Sequence, residues 1–317
     1  MKKFMQSFII LMILLTGILT AQEKVVFKTL SNMNEKRFGF GSVTDGKYLY
    51  AVCGGIAFSP YYSDNIERYD TENNKWTNIA KTSTLRRYCN AEYIESNNKI
   101  YIMNGEYQTP SFNTLSKKVE VLDLNTNQVS LCKDNPNPLR NAGSAVWNNK
   151  IYIFGGQNLY GYSNDFFEYD PASDTWKRLP DLPERKQTSG KIVDGVLYIF
   201  GGNNGKRNYD DVYAYNFQES TWTQLENLPF EISANSSAVS DGKSIWLLGS
   251  FMDTGLLAVY NTQTKTISKF DSNMNGRQYA GVQIIGEKLY LFGGSKNMNA
   301  ISALSNTEYT NIADQKK

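Results

Sequence analysis

Guanidinium and phenol groups are the chemistry this chain repeats. Arg37, Arg87, Arg140, Arg185 and Arg277 stand at comparable points along it, with Ile232-Ser233 at the one such point without a cation. A guanidinium offers a rigid fork of donors that matches a carboxylate and also serves the hydroxyls of a sugar. Aromatic residues gather in the segments that follow, as Tyr61, Tyr62, Tyr107, Phe112, Tyr160, Tyr162 and Tyr209, with Arg207 among them. Aromatic faces beside hydroxyls and guanidinium groups suit a glycan or a peptide. The ligand-binding candidates are therefore Arg37, Arg87, Arg140, Arg185, Arg207 and Arg277 together with Tyr62, Tyr107 and Tyr160. The competing expectation is structural: arginines brace neighbouring units through backbone carbonyls, and tyrosines, 21 in 317 residues, pack within loops.

Composition narrows the chemistry by exclusion. The chain contains no histidine, which removes Ser-His-Asp and Cys-His nucleophile systems, imidazole metal sites and a histidine proton shuttle. No GxGxxG, phosphate-binding loop or paired CxxC occurs, so neither a cofactor nor a metal is expected. Lysine and arginine number 33 against 31 acidic residues. Removing residues 1–21, which carry Lys2, Lys3 and no acid, leaves 31 of each sign. Bulk attraction to nucleic acid or to an anionic membrane has no support in that balance.

The elements that position these groups are short strands. Arg140 to Trp176 holds three of them, at Ala142–Trp147, Lys150–Phe154 and Phe166–Tyr169, and a fourth begins at Trp176. Asn148-Asn149 makes a two-residue hairpin turn, and Gly155-Gly156 closes the second strand where the chain must bend without a β-carbon. The aromatic centre of that second strand recurs at Tyr50, Tyr101, Tyr152, Tyr198, Trp246 and Tyr290, every 44 to 51 residues. Each copy is preceded by a turn pair: Asp45-Gly46, Asn97-Asn98, Asn148-Asn149, Asp194-Gly195, Asp241-Gly242 and Gly286-Glu287. The glycine pair is intact at Gly155-Gly156, Gly201-Gly202 and Gly293-Gly294 and altered at Cys53-Gly54, Asn104-Gly105 and Gly249-Ser250. The outer-strand tryptophan stands at Trp76, Trp176 and Trp222, with Val129 and Ile267 in its place in two copies.

This unit resembles the kelch repeat, whose period is near 50 residues and whose copies form four-stranded propeller blades. The resemblance implies an all-β, six-bladed kelch β-propeller spanning residues 22–312, with residues 313–317 as a short polar tail. The sixth copy lacks its outer strand. Val25–Leu30 is expected to supply it beside a third strand at Ala300–Leu304, closing the ring without an open edge. In kelch propellers the loop leading into each blade and the loop between its second and third strands share one face, the mouth of the central channel. The latter loops are unequal here, longest in blades one and two and only a few residues after Ser250 in blade five. Substrate adaptors of this family use arginines at blade starts to hold acidic peptide groups, which extends to the five blade-start positions above. Cys53 and Cys89 fall near one face of adjacent blades, where they are either bridged or simply buried, and Cys132 is an isolated outer-strand thiol.

Lys2-Lys3, the apolar run Phe8–Leu15 and a Leu19-Thr20-Ala21 ending read as a signal peptide over residues 1–21. The pattern fits bacterial export, giving a periplasmic or extracellular monomer with no membrane span once cleaved. Two functions follow. The first is a binding module that captures a glycan or protein segment at the mouth. The second is a sugar-active enzyme similar to the kelch-type N-acetylneuraminate epimerases, for which Glu184, Arg185 and Arg207 are the acid/base and carboxylate-clamp residues.

Overall fold

The computed structural model describes residues 24–109, 113–233, 237–297 and 300–313. They form a six-bladed propeller, each blade a four-stranded antiparallel sheet. Blade one shows the plan: Gly41–Thr44, Tyr48–Val52, Asn65–Asp70 and Lys75–Lys81 in spatial order from the axis outward. The innermost strands of the six blades touch one another in a closed circle around the axis. Short 3-10 turns at Glu95–Asn97 and Ala300–Ser302 are the helical pieces among the described residues.

Local turn chemistry sets the register of each sheet. Asn148 and Asn149 both take positive φ, as do Asp194 and Gly195, the backbone a two-residue hairpin needs to match strand twist. The register that results pairs Trp147 with Lys150 and Val193 with Val196. A one-residue slip would turn every side chain to the opposite face.

Hydrophobic burial lies in six seams between blades, not in one central core. The seam between blades six and one gathers Phe40, Leu49, Tyr69, Trp76, Tyr290 and Phe292. Trp76 and Phe292 rings lie 5.4 Å apart there, and the Trp76 indole N–H donates to Thr307 Oγ1 at 2.9 Å. Where present, the outer-strand tryptophan packs at a tilt against its cross-strand tyrosine, as in Tyr69–Trp76, Tyr169–Trp176 and Tyr215–Trp222.

The glycine pairs lock one blade to the next. The second residue of the pair, at Gly294, Gly54, Gly105, Gly156 and Gly202, donates its N–H to the leading loop of the following blade, at Arg37, Arg86, Leu139, Lys186 and Ile232. A β-carbon on Gly202 would lie 2.0 Å from the Gln187 carbonyl oxygen of its own blade, so only glycine fits between the two loops. At the remaining junction Ser250 turns inward to Asp253, and Arg277 N–H donates to Thr254 O instead.

The last blade closes as the sequence implied, with one correction. Lys28–Leu30 pairs with Thr307–Asn311 through Lys28↔Tyr309, Thr29↔Glu308 and Leu30↔Thr307, supplying the outer strand. The third strand is Thr307–Asn311, however, while Ala300–Ser302 is a 3-10 turn inside a long mouth loop. The more apolar segment was the wrong choice because the true strand is specified by pairing on both sides, with Lys288–Phe292 and with the N-terminal strand. The long 293–306 loop of blade six therefore joins those of blades one and two, and the shortest connection is that of blade four, 204–207.

Candidate functional site

In blades one, two, three and six the leading loop and the second connection meet at the mouth through single bridges: Phe38 to Gly55, Arg87 to Glu106, Arg140 to Gln157 and Gln278 to Ser295. These bridges separate two columns of residues that the sequence reading merged. One column is Arg37, Arg86, Leu139, Lys186, Ile232 and Arg277, which points into the protein. The next residue along, Phe38, Arg87, Arg140, Gln187, Ser233 and Gln278, stands at the mouth.

Arg37 and Arg277, both expected at the rim, are fully buried. Arg37 Nη1 donates to the carbonyls of Cys53 and Asn65, and its Nη2 pairs with buried Glu67. Arg277 repeats this with Gly293 O, Asn306 O and Glu308, and Arg86 with Asn104 O, Lys118 O and Glu120. Each brace ties the mouth loop of its own blade to its third strand, not one blade to the next. Lys186 and Asp211 form the corresponding pair in blade four, which leaves the neighbouring Arg185 exposed on the surface. Blades three and five have Leu139 and Ile232 instead, and there Phe167 and Ala258 occupy the position of the acid.

Arg87 and Arg140 do come together. Buried Glu106 accepts from Arg87 Nε at 2.7 Å with one carboxylate oxygen and from Arg140 Nη1 with the other. Tyr62, buried beneath, donates its hydroxyl to Glu106 at 3.1 Å, and Arg140 Nε donates to Gln157 at 2.9 Å. The Arg87 guanidinium lies 4.8 Å from the Tyr88 ring and 5.0 Å from that of Tyr62. Two cations thus share one anion, and their side chains remain 25 % and 39 % exposed. Among the described residues nothing accepts from Nη1 of Arg87 or Nη2 of Arg140. Burial works against the Glu106 charge, but the two guanidinium groups outweigh it and hold its carboxyl below the usual 4.5.

A pH dependence follows from that sign. A depressed folded pKa contributes stability that is fully present above the unfolded value near 4.5 and lost as pH falls through the folded one. Glu106→Gln is therefore expected to be less stable than the parent at pH 6, with the gap narrowing below pH 4.5 in urea titrations. A gap independent of pH would show that the carboxylate charge is irrelevant.

Arg87 and Arg140 line a cavity of about 320 Å³ together with Tyr88, Gln157, Phe251 and Tyr279. Tyr88 and Tyr279 meet at 5.0 Å between ring centroids over Gly39, where a β-carbon would collide with Tyr88. Both tyrosines hold positive φ, a conformation that bulky residues seldom adopt and that concentrates at functional sites. Burial raises both phenol pKa values, so they stay protonated donors at neutral pH. Below them the space continues along the axis as two narrower volumes of about 160 Å³ each.

The remaining candidates scatter. Tyr160 is 98 % exposed at the tip of the hairpin formed by Gln157–Asn158 and Gly161–Tyr162. Tyr107 lines a separate crevice with Lys117 and Lys118, and Phe112 lies outside the described residues. Arg207 is exposed and stacks 4.4 Å over buried Tyr209 in blade four. Neither Arg207 nor Glu184 nor Arg185 lines the axial cavity. Sequence reasoning missed Glu106, Tyr88 and Tyr279. Aligning the blades on the residue ten after Trp76, which is Arg86, would have placed Arg87 in the mouth column and Tyr88 directly after it.

A family profile described as the KLHDC2/KLHL20/DRC7 Kelch-repeats domain matches residues 39–250 and 90–294. The chain belongs to the kelch-repeat family. Kelch-like protein 25 of Xenopus tropicalis is 28 % identical over 167 residues, 50 % of this chain and 27 % of that protein. Kelch-like protein 23 of Homo sapiens is 27 % identical over 161 residues, 51 % of this chain and 27 % of that protein. The matched region is about a quarter of the length of these curated relatives. The expectation of an exported, periplasmic or extracellular protein is corrected here, because the similar proteins are vertebrate Kelch-like proteins and nothing in them points to export. Residues 1–21, on which that expectation rested, lie outside the described residues. No helix among the described residues is long and apolar enough to cross a membrane.

The cysteine alternatives resolve toward free thiols. Cys53 and Cys89 are buried and unbridged, and Cys132 is a partly exposed thiol after the outer strand of blade two.

Proposed function

We propose that this kelch propeller is a binding module whose axial mouth captures a protein segment bearing an acidic group. The observation that carries the reading is the surplus cation: Arg87 and Arg140 share Glu106 as their one acidic partner among the described residues, and both line an open cavity. An incoming carboxylate completes the pairing that Glu106 begins.

The rim supports a protein over a glycan. Most large apolar side chains left exposed sit on mouth loops: Phe58, Leu85, Leu159, Met252 and Ile301, the last 85 % exposed. Exposed aliphatic and aromatic side chains carried by several mouth loops, with the two arginines among them, match the apolar surface and charge anchor of a protein contact. Arrays of short acidic peptides, amidated and free-ended, are the test, run beside a glycan array. Arg87→Ala or Arg140→Ala should weaken the selected peptide about thirtyfold, equivalent to about 2 kcal/mol, with higher salt weakening it further. Selection of glycans alone, or undiminished binding by both arginine variants, would overturn the proposal.

A further inference from the structure

We propose that Cys53 and Cys89 form an oxidisable thiol pair, a modification site at which peroxide entering the axial channel joins blade one to blade two by a disulfide. The two lie 36 positions apart in sequence yet share one apolar seam, where Cys89 Sγ comes within 3.6 Å of Val52 O, the carbonyl oxygen of the peptide unit that leads into Cys53. Cys53 closes the second strand of blade one in a left-handed conformation that points its side chain toward Thr82, whose hydroxyl is 3.3 Å from the sulfur. Cys89 opens the first strand of blade two, with its sulfur 3.6 Å from Val52 O. The pair thus bridges the seam from opposite blades.

Access is unequal, which assigns the roles. Cys89 is 8 % exposed and lines both narrow volumes of the axial channel, each large enough for several water-sized molecules and hence for peroxide. Cys53 is sealed behind it. Ionisation follows the same order: the neighbouring Cys53 thiol and the Arg86 charge outweigh burial and hold the Cys89 thiol below its ordinary value, whereas burial pushes the Cys53 thiol up. Cys89 thiolate attacks one peroxide oxygen, breaking the O–O bond, and the departing hydroxide takes a proton to become water. The sulfenic acid that forms is attacked by Cys53 as thiolate, making the S–S bond and expelling a second water. Two thiols lose two electrons and two protons, and one peroxide becomes two waters.

The consequence reaches the mouth because Tyr88 and Arg87 immediately precede Cys89. A bond drawn to Cys53 fixes the leading loop of blade two against blade one, where the Tyr88 amide already donates to Gly39 O at 2.5 Å.

The test treats the full chain with a small excess of hydrogen peroxide and then maps alkylated, non-reduced peptides. A linked Cys53–Cys89 peptide, two hydrogens lighter than its thiol parts, is expected. Tm should rise by roughly 5–10 °C and return on reduction with dithiothreitol. Cys132→Ser should behave as the parent, and Cys53→Ala should leave a Cys89 sulfenic acid that dimedone labels. The proposal fails if both thiols stay alkylatable under conditions that oxidise the urea-unfolded chain. Linkage through Cys132, or over-oxidation of Cys89 without a link, would overturn it equally.

Discussion

Glu120→Ala is expected to destabilise the propeller by about 3–5 kcal/mol, a fall of roughly 10 °C in Tm, because it strands the Arg86 guanidinium in a fully buried site. Removing one member of a buried pair leaves a charge that neither water nor the interior can satisfy. The chain itself indicates how to remove both. Blade three carries Leu139 and Phe167 where blade two carries Arg86 and Glu120, and it folds to the same four strands. Arg86→Leu combined with Glu120→Phe should therefore recover more than half of the single-variant loss. Recovery stays incomplete because Asn104 O and Lys118 O lose the donor that Arg86 gave them. Urea unfolding of the parent, single and double variants measures this directly. A single variant within 1 kcal/mol of the parent, or a double variant no better than the single, would show that the braces are incidental.

Removal of residues 24–30 is expected to cost on the order of 5 kcal/mol and to make the protein associate. Val25 and Phe27 leave the seam between blades five and six, where they pack with Trp246, Leu289 and Ile312, and each such burial is worth about 2 kcal/mol. Backbone partners go with them, since Val25 N–H donates to Asp271 O and Phe27 N–H to Asn273 Oδ1. Thr307–Asn311 then becomes an unpaired edge strand, a template for a second chain. Size-exclusion chromatography across concentration should show oligomers only in the truncated protein, alongside the lower Tm. A monodisperse truncation product as stable as the parent would mean that the N-terminal strand does not close the ring.

The sequence by itself determined the fold and its closure. Period-two alternation, turn pairs such as Asn148-Asn149 and the recurring Gly-Gly are local signals, and six copies reinforce one another. The missing outer strand of the sixth copy likewise required a donor, and Val25–Leu30 was the strand-like segment left over. Even so, Ala300–Leu304 misled, because apolar content is a poorer guide than pairing when a strand is flanked on both sides.

Tertiary structure decided what each arginine does. In Arg86-Arg87 one guanidinium braces a blade from inside and the other faces the mouth, a difference of one residue that a period-two backbone converts into opposite surroundings. Glu106, which gathers Arg87 and Arg140, gives no sign of its role in sequence because its partners come from the leading loops of two different blades. For Cys53 and Cys89 the repeat pattern gave adjacent blades, and the structure decided that both are buried and unbridged. Strand formation depends on residues a few positions apart, whereas the charge of the mouth and the surroundings of the thiols depend on which loops the closed ring brings face to face.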